Sequence, residues 1–264
     1  MKKIVITGET GYIATKLRDS FGTCEQVQML SLRGNEWRAV DFFGQDIVIH
    51  TAGIVHQREN RENIDIYYRV NRDITVELAK KAKRQGVRQF VFFSTASVYG
   101  MDEGIITRET IPTPNSHYGK SKLQAEKALR ALHDETFTVA ILRPPMVYGP
   151  GCKGNYRRLV KLAQILPVFA DYPNERSMIS IERLCEFVRE IVDIGMGGIF
   201  FPQDAQYGCT CRMIRDLARA GGRYVHLTKA LNPAVSLLRS TTRSGKKAFG
   251  TLIYQDRDPC IVSF

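Results

Sequence analysis

No apolar run in this 264-residue chain is long enough to cross a bilayer, and the apolar stretch near the N-terminus is too short for a secretion signal. A soluble protein of the cytoplasm is therefore expected. Metal-ligand spacing is missing as well, because Cys209-Thr210-Cys211 has no second ligand pair to complete a site. The six cysteines, Cys24, Cys152, Cys185, Cys209, Cys211 and Cys260, are too scattered for a disulfide framework, so free thiols and no metal are expected. Five histidines, His50, His56, His117, His133 and His226, make neither a metal cluster nor a nucleophilic triad and read as structural or exposed. Internal repeats and low-complexity linkers are absent too. Acidic residues fall short of basic ones, 27 against 38. The net charge of +11 favours anionic partners without choosing among phosphorylated small molecules, acidic lipid surfaces and nucleic acid. No motif for reading bases accompanies it, so nucleic acid is not an expected partner. The concentration of Arg239, Arg243, Lys246 and Lys247 is read as a solvated basic face, while the amphipathic segment 231–247 leaves room for weak peripheral membrane association.

What is present points to an α/β protein. Hydrophobic residues make up 44% of the chain, enough for one large domain or a domain with an appended lobe. Strand-like runs at Ile4-Val5-Ile6, Val27 to Leu32, Ile47-Val48-Ile49, Phe90 to Phe93 and Thr138 to Leu142 alternate with helical or polar segments. That rhythm predicts a doubly wound parallel sheet covered on both faces. One helix is expected over Ile64 to Arg84, ended by Gly86, and another from Ser116 to His133. Past Gly149-Pro150-Gly151 the rhythm loosens, so residues 1–149 are assigned mainly to a nucleotide domain and 150–264 mainly to a smaller C-terminal lobe, with interleaving allowed.

Directly after the first apolar run stands Thr7-Gly8-Glu9-Thr10-Gly11-Tyr12-Ile13-Ala14. Glycines between a buried strand and a helix let backbone N–H groups approach a pyrophosphate, whose charge the helix N-terminus favours. Small residues also serve plain strand-to-helix packing, so the pattern alone is a weak sign. Much further on, Tyr118 and Lys122 lie four residues apart, one helical turn on one face. A nearby cation, with an oxidised nicotinamide, would lower the phenol's pKa and fit it for proton exchange with a hydroxyl or ketone. The bland alternative is a core tyrosine beside a surface lysine. Thr95 sits at the end of a predicted strand, where it either orients a reacting oxygen or closes a turn. Asn71 falls on the apolar face of its helix with Ile64, Ile74, Leu78 and Ala82, and is either a structural bridge or part of a site.

Taken together, TGETGYIA, HTAG at His50 to Gly53, Val70-Asn71, FFSTASVYG at Phe92 to Gly100, YGKSK and LRPPMVYGPG at Leu142 to Gly151 resemble an extended short-chain dehydrogenase/reductase of the nucleotide-sugar epimerase/dehydratase family. The resemblance spans nearly the whole chain. It implies a Rossmann-type NAD(P) domain, with Gly8, Gly11, Tyr12, Ile13, Arg33, Ala52, Gly53, Asn71 and Lys122 around the cofactor. By the same resemblance, Tyr118 is the proton-transfer residue, Lys122 binds the nicotinamide ribose, Thr95 takes the place often held by serine, and Asn71 matches a structural or proton-relay asparagine. Asn155 and Arg176 resemble positions that contact the diphosphate of a nucleoside-diphosphate sugar, although both could be plain surface residues. A homodimer is a further family expectation.

Similar dehydratases carry an acidic pair after the strand-end threonine, where this chain has Ala96 and Ser97, so dehydration is disfavoured. Ser31 and Arg33, in place of an acidic residue after the second strand, lean the cofactor from NAD towards NADP, unless Arg33 is merely solvated. Met146 stands where many sugar epimerases have an asparagine, which leaves the sugar's identity open. The expected activity is an NAD(P)-dependent nucleotide-sugar epimerase acting through a 4-keto intermediate. An NADPH-dependent reductase of a nucleotide-linked 4-ketosugar is the alternative within the class, and a non-catalytic dinucleotide sensor is the alternative outside it.

Overall fold

The computed structural model describes residues 1–23, 25–55, 59–60, 63–256, 261–262 and 264. Cys24, His56 and Cys260 lie outside the described residues. In chain order the first half forms β1 (Lys3–Thr7), α1 (Tyr12–Phe21), β2 (Gln26–Leu30), β3 (Ile47–His50), α2 (Ile64–Tyr68), a π-helical turn (Arg69–Ile74), α3 (Thr75–Arg84), β4 (Gln89–Phe93), β5 (Gly104–Ile106), α4 (His117–Arg130), β6 (Thr138–Leu142) and β7 (Met146–Tyr148). The second half adds α5 (Asn155–Ile165), β8 (Val168–Ala170), β9 (Met178–Ser180), α6 (Ile181–Ile194), β10 (Gly198–Phe200) and α7 (Thr210–Ala220). It ends with β11 (His226–Thr228), α8 (Asn232–Thr241), α9 (Arg243–Phe249), β12 (Leu252–Tyr254) and β13 (Ile261–Val262).

Seven strands form the central sheet in the order β13-β10-β6-β4-β3-β1-β2, parallel throughout except for β13. The runs of β1, β3, β4 and β6 become strands buried on both faces, as the interior of a parallel ladder requires, while the edge strand β2 keeps one face towards water. Alternate residues serve opposite layers. Val5, Val48, Phe90, Phe92 and Val139 pack with Leu78 and Ala82 of α3 and Ala125 and Leu129 of α4. Ile4, Ile6, Ile49, Val91 and Phe93 pack with Leu17 of α1 and Leu184, Val188 and Ile191 of α6. Each such aliphatic or aromatic side chain contributes roughly 1.5–3 kcal/mol on burial. From β1 the order runs to β2 on one side and to β3 on the other, so the crevice at the carboxyl ends of β1 and β3 is the switch point of the sheet.

The second half of the chain returns to this sheet before it leaves again. Helix α6, capped by the Ser180 hydroxyl and closed by Gly195 at φ 72°, covers the sheet beside α1, and β10 extends it beside β6. The remaining segments form two-stranded pairs, β8 with β11, β5 with β12 and β7 with β9. They enclose small separate cores around Ala163, Ile214 and Val225 and around Ala170, Val235 and Phe249. Between Ile64 and Arg84 the helical path is continuous but not uniformly α-helical, because residues 69–74 widen into the π turn that holds Asn71. Helix α4 starts on the Ser116 cap, whose hydroxyl accepts from the Gly119 N–H, and its regular part ends at Arg130, three residues short of the predicted end. No helix among the described residues is long and apolar enough to cross a membrane.

Candidate active site

At the switch point the chain turns without side chains. Gly8 has φ +88°, and a Cβ there would lie 2.9 Å from Thr51 Oγ1 and 3.1 Å from the Ala52 nitrogen. Any larger residue would push the turn away from the exit of β3. The Gly8 N–H donates to the Leu30 carbonyl at 3.0 Å and the Gly11 N–H to the Gly8 carbonyl at 2.6 Å. Gly11 then opens α1 with no side-chain cap and no acidic residue in the first turn. Of the next two residues, Ile13 packs against the α1 side of the sheet. Tyr12 turns its hydroxyl towards Gly149, buried and without a hydrogen-bond partner, and burial pushes its pKa up to about 12. Arg33 is exposed three residues beyond β2, next to Gly34 at φ +73°.

Ala52 and Gly53 follow β3, and Gly53 approaches two other expected residues. A Cβ at Gly53 would stand 3.0 Å from Asn71 Oδ1 and 3.1 Å from Lys122 Nζ. Asn71 is fully buried and every polar atom of its amide is used: Oδ1 accepts from the Ile54 N–H at 2.8 Å, and Nδ2 donates to the Ile54 carbonyl and Ser121 Oγ, each at 3.2 Å. The wide turn around it gives the amide this reach from the helix to both the β3 exit and α4. Asn71→Leu should therefore cost about 1–3 kcal/mol through the backbone groups it strands. A thermal melt indistinguishable from the parent protein would show that the bridge is idle.

Tyr118 and Lys122 sit one turn apart on α4, as their spacing requires. The half-buried Tyr118 has its hydroxyl near the Thr95 side chain, and its ring lies 6.4 Å from that of Tyr67. Thr95 also closes the turn after β4, its Oγ1 accepting from the Ser97 N–H at 3.1 Å, so both of its expected roles coexist. Lys122 is 2% exposed, donates from Nζ to the Phe93 carbonyl at 2.8 Å and lies 4.6 Å over the Phe92 ring. Burial lowers its pKa to about 7, partly opposed by Glu126. Burial pushes Tyr118 up to about 12, partly opposed by the Thr95 side chain. The sequence predicts a phenol lowered by the lysine together with an oxidised nicotinamide; in the chain on its own burial raises it. The ammonium is spent on a carbonyl, and desolvation of the phenol dominates.

One network escaped the sequence. Glu126, the next turn of the same α4 face, pairs with Arg143 at 3.1 Å (Nε to Oε1) and 2.5 Å (Nη2 to Oε2), and Ser94 Oγ donates to the same carboxylate. Arg143 Nη1 donates to the Tyr99 hydroxyl at 2.7 Å, and the Tyr254 hydroxyl donates to the Arg143 carbonyl at 2.7 Å. The two ionised side chains are 1% and 6% exposed. A carboxylate continuing the Tyr118–Lys122 row onto a core face was the available signal. His50 is structural, as expected: Nδ1 meets Thr7 Oγ1 at 2.7 Å and Nε2 meets Thr75 Oγ1 at 2.8 Å. Because the Thr75 hydroxyl donates to the Asn71 carbonyl, Nε2 is assigned the imidazole hydrogen. Burial, with Lys122 nearby, lowers the His50 pKa to about 3, so the ring stays neutral near pH 7.

In the second half, Asn155 is exposed at the first residue of α5, beside Tyr156, whose ring lies 5.9 Å from that of Tyr148. Arg176 is partly buried, donates to the Gly250 carbonyl at 2.9 Å and has no ion-pair partner among the described residues. No described contact joins either residue to Tyr118, Thr95 or Lys122. Met146 opens β7 opposite Met178. Cys152, Cys185, Cys209 and Cys211 are free thiols, and no group of residues among those described could hold a metal.

Comparison with known proteins agrees with this geometry. Residues 4–166 match the model of the NAD dependent epimerase/dehydratase family. The chain is 32% identical over 250 residues to a UDP-glucose 4-epimerase of Vibrio cholerae, an alignment covering 83% of this chain and 76% of that one. Its fold is similar to UDP-glucuronic acid 4-epimerase from Bacillus cereus in complex with NAD, with a TM-score of 0.71, 20% identity and coverage of 93% and 96% of the two chains. It is equally similar to dTDP-4-dehydrorhamnose reductase from Bacillus anthracis in complex with NADP, with a TM-score of 0.72, 16% identity and coverage of 94% and 99%. At such identities the two structures speak for the fold alone.

Proposed function

Because this chain belongs to the NAD-dependent epimerase/dehydratase family, we propose that it is an NAD(P)-dependent nucleotide-sugar epimerase that works through a 4-keto intermediate. The observation that carries this is the Tyr118 hydroxyl near Thr95 at the carboxyl end of β4, with Lys122 one turn on. A nicotinamide cofactor bound here supplies a reversible hydride acceptor. The turn suits its pyrophosphate, since it leads from Gly8 into the N-terminus of α1, which has no side-chain cap and no carboxylate in its first turn. Lys122, within reach of Gly53, would hold the ribose. Tyr118 Oη takes the proton of the sugar's C4 hydroxyl and later returns it, while Thr95 holds the reacting oxygen in line. Residues 1–149 serve mainly the cofactor and 150–264 mainly the sugar nucleotide, with Asn155 and Arg176 towards its diphosphate.

Arg33 beyond β2 leans the proposal towards NADP, and a free NADP(H) pool would suit the second activity, reduction of a nucleotide-linked 4-ketosugar. Both reactions belong in the cytoplasm, and a homodimer is the assembly we propose. Incubation with a panel of UDP-sugars separates them. Interconverting C4 epimers without net loss of NADPH are expected, whereas stoichiometric NADPH consumption with a ketosugar would establish the reductase instead.

A further inference from the structure

The positive charge of this chain is segregated. Segments 153–170 and 207–247 hold thirteen lysines and arginines against one acidic residue, Asp216, while the rest of the chain carries 25 basic and 26 acidic residues. The four cations that the sequence singles out near the C-terminus are not the free ones, because Asp102 and Glu103 reach over to pair with Arg239, Arg243, Lys246 and Lys247. The unmatched charge lies on α5, on α7 and in the turn after α7, where Arg157, Lys161, Arg212, Arg219 and Arg223 have no carboxylate partner among the described residues.

These two helices share the small core around Ala163, Ile214 and Ala218, and each runs into a strand of the parallel pair β8–β11. Their two helix-to-strand corners therefore lie side by side, with Val168 paired to His226 and the His226 N–H donating to the Pro167 carbonyl at 2.9 Å. Both corners present apolar side chains to water. Ile165 is 67% exposed and Tyr224 69%, with Val168 and Leu231 exposed on the strand and turn beside them. Lys161 stands one turn before Ile165, and Arg223 immediately precedes Tyr224.

We propose that this corner of the second half docks on an anionic lipid surface, the cations meeting headgroup phosphates and the apolar tips entering the interfacial layer. Charge complementarity selects an anionic partner. Three aliphatic tips to one aromatic among the cations select lipid over nucleic acid, whose single strands are held on successive aromatic stacking platforms, where this corner offers Tyr224.

The test is co-sedimentation of the full chain with vesicles of phosphatidylcholine containing about 30 mol% phosphatidylglycerol, against phosphatidylcholine alone, at about 0.1 M salt. Binding to the anionic vesicles only is expected. The pair Lys161→Glu and Arg219→Glu should weaken it by about tenfold or more, and the pair Ile165→Ser and Tyr224→Ser by a few fold. Thermal melts confirm that each variant is folded, and the parent protein's preference between the two vesicle types decides even if one is not. The proposal is overturned if the parent protein ignores anionic vesicles or if neither pair changes binding. It is equally overturned if the serine pair binds as the parent does while single-stranded RNA displaces the protein from the vesicles.

Discussion

Tyr118→Phe should give a folded protein that still binds dinucleotide but turns over its sugar nucleotide roughly 10²–10⁴ times more slowly. The substitution removes one oxygen and keeps the ring. Packing beside Tyr67 is unchanged, and Thr95 retains the Ser97 N–H as a partner, so stability should move by about 1 kcal/mol or less. What is lost is the atom to which the sugar's hydroxyl proton would go. Cofactor titration and a melt should match the parent protein while the rate constant falls. Turnover at the parent rate would remove Tyr118 from proton transfer, and loss of cofactor binding would place its role in the cradle instead.

The second large effect concerns stability. Glu126→Gln leaves the Arg143 guanidinium buried beside a neutral amide, and breaking such a pair costs about 3–5 kcal/mol. For a chain of this size that lowers Tm by roughly 6–20 °C. Arg143→Met should cost as much, since it strands the carboxylate. The double variant with Glu126→Leu should recover part of the loss, but not all, because Ser94 Oγ and the Tyr99 hydroxyl then lack their partners. Fully additive losses in thermal melts would show that the two charges are not coupled. The carboxylate also holds the Lys122 pKa up, so its removal drops that pKa further below about 7. Dinucleotide binding should then weaken near neutral pH and recover as the pH falls and the ammonium is restored.

Much of this was legible because it is local. The glycine turn after β1, the one-turn spacing of Tyr118 and Lys122, and the β-branched runs of the sheet each declare themselves within a few residues. Asn71 was visible as a misfit on an apolar face, but the widened turn that holds it depends on Ile54 and Ser121, which come from other elements. Glu126 and Arg143 are separated by a loop and a strand, and nothing local announces that they meet. The three-residue strands of the second half are too short to repeat a hydrophobic alternation. The partner of β5, for instance, is β12, more than a hundred residues later. Pairing of Asp102 and Glu103 with the basic cluster near the C-terminus is long-range in the same way, which is why the free cations lie elsewhere than the sequence suggested.

The π turn at residues 69–74 is an inserted residue in an otherwise regular rod. Each residue of an α-helix advances the path by about 100°. A deletion of one codon there would let the rod close into regular α-helix with α2, and with it Tyr67 and Tyr68, still in phase to meet Tyr118 and His117 of α4, whereas the same deletion within α3, with no bulge to absorb it, would turn the two halves against each other by about that angle. What an in-frame loss at this point would take away is the reach of Asn71 to Ile54 and Ser121.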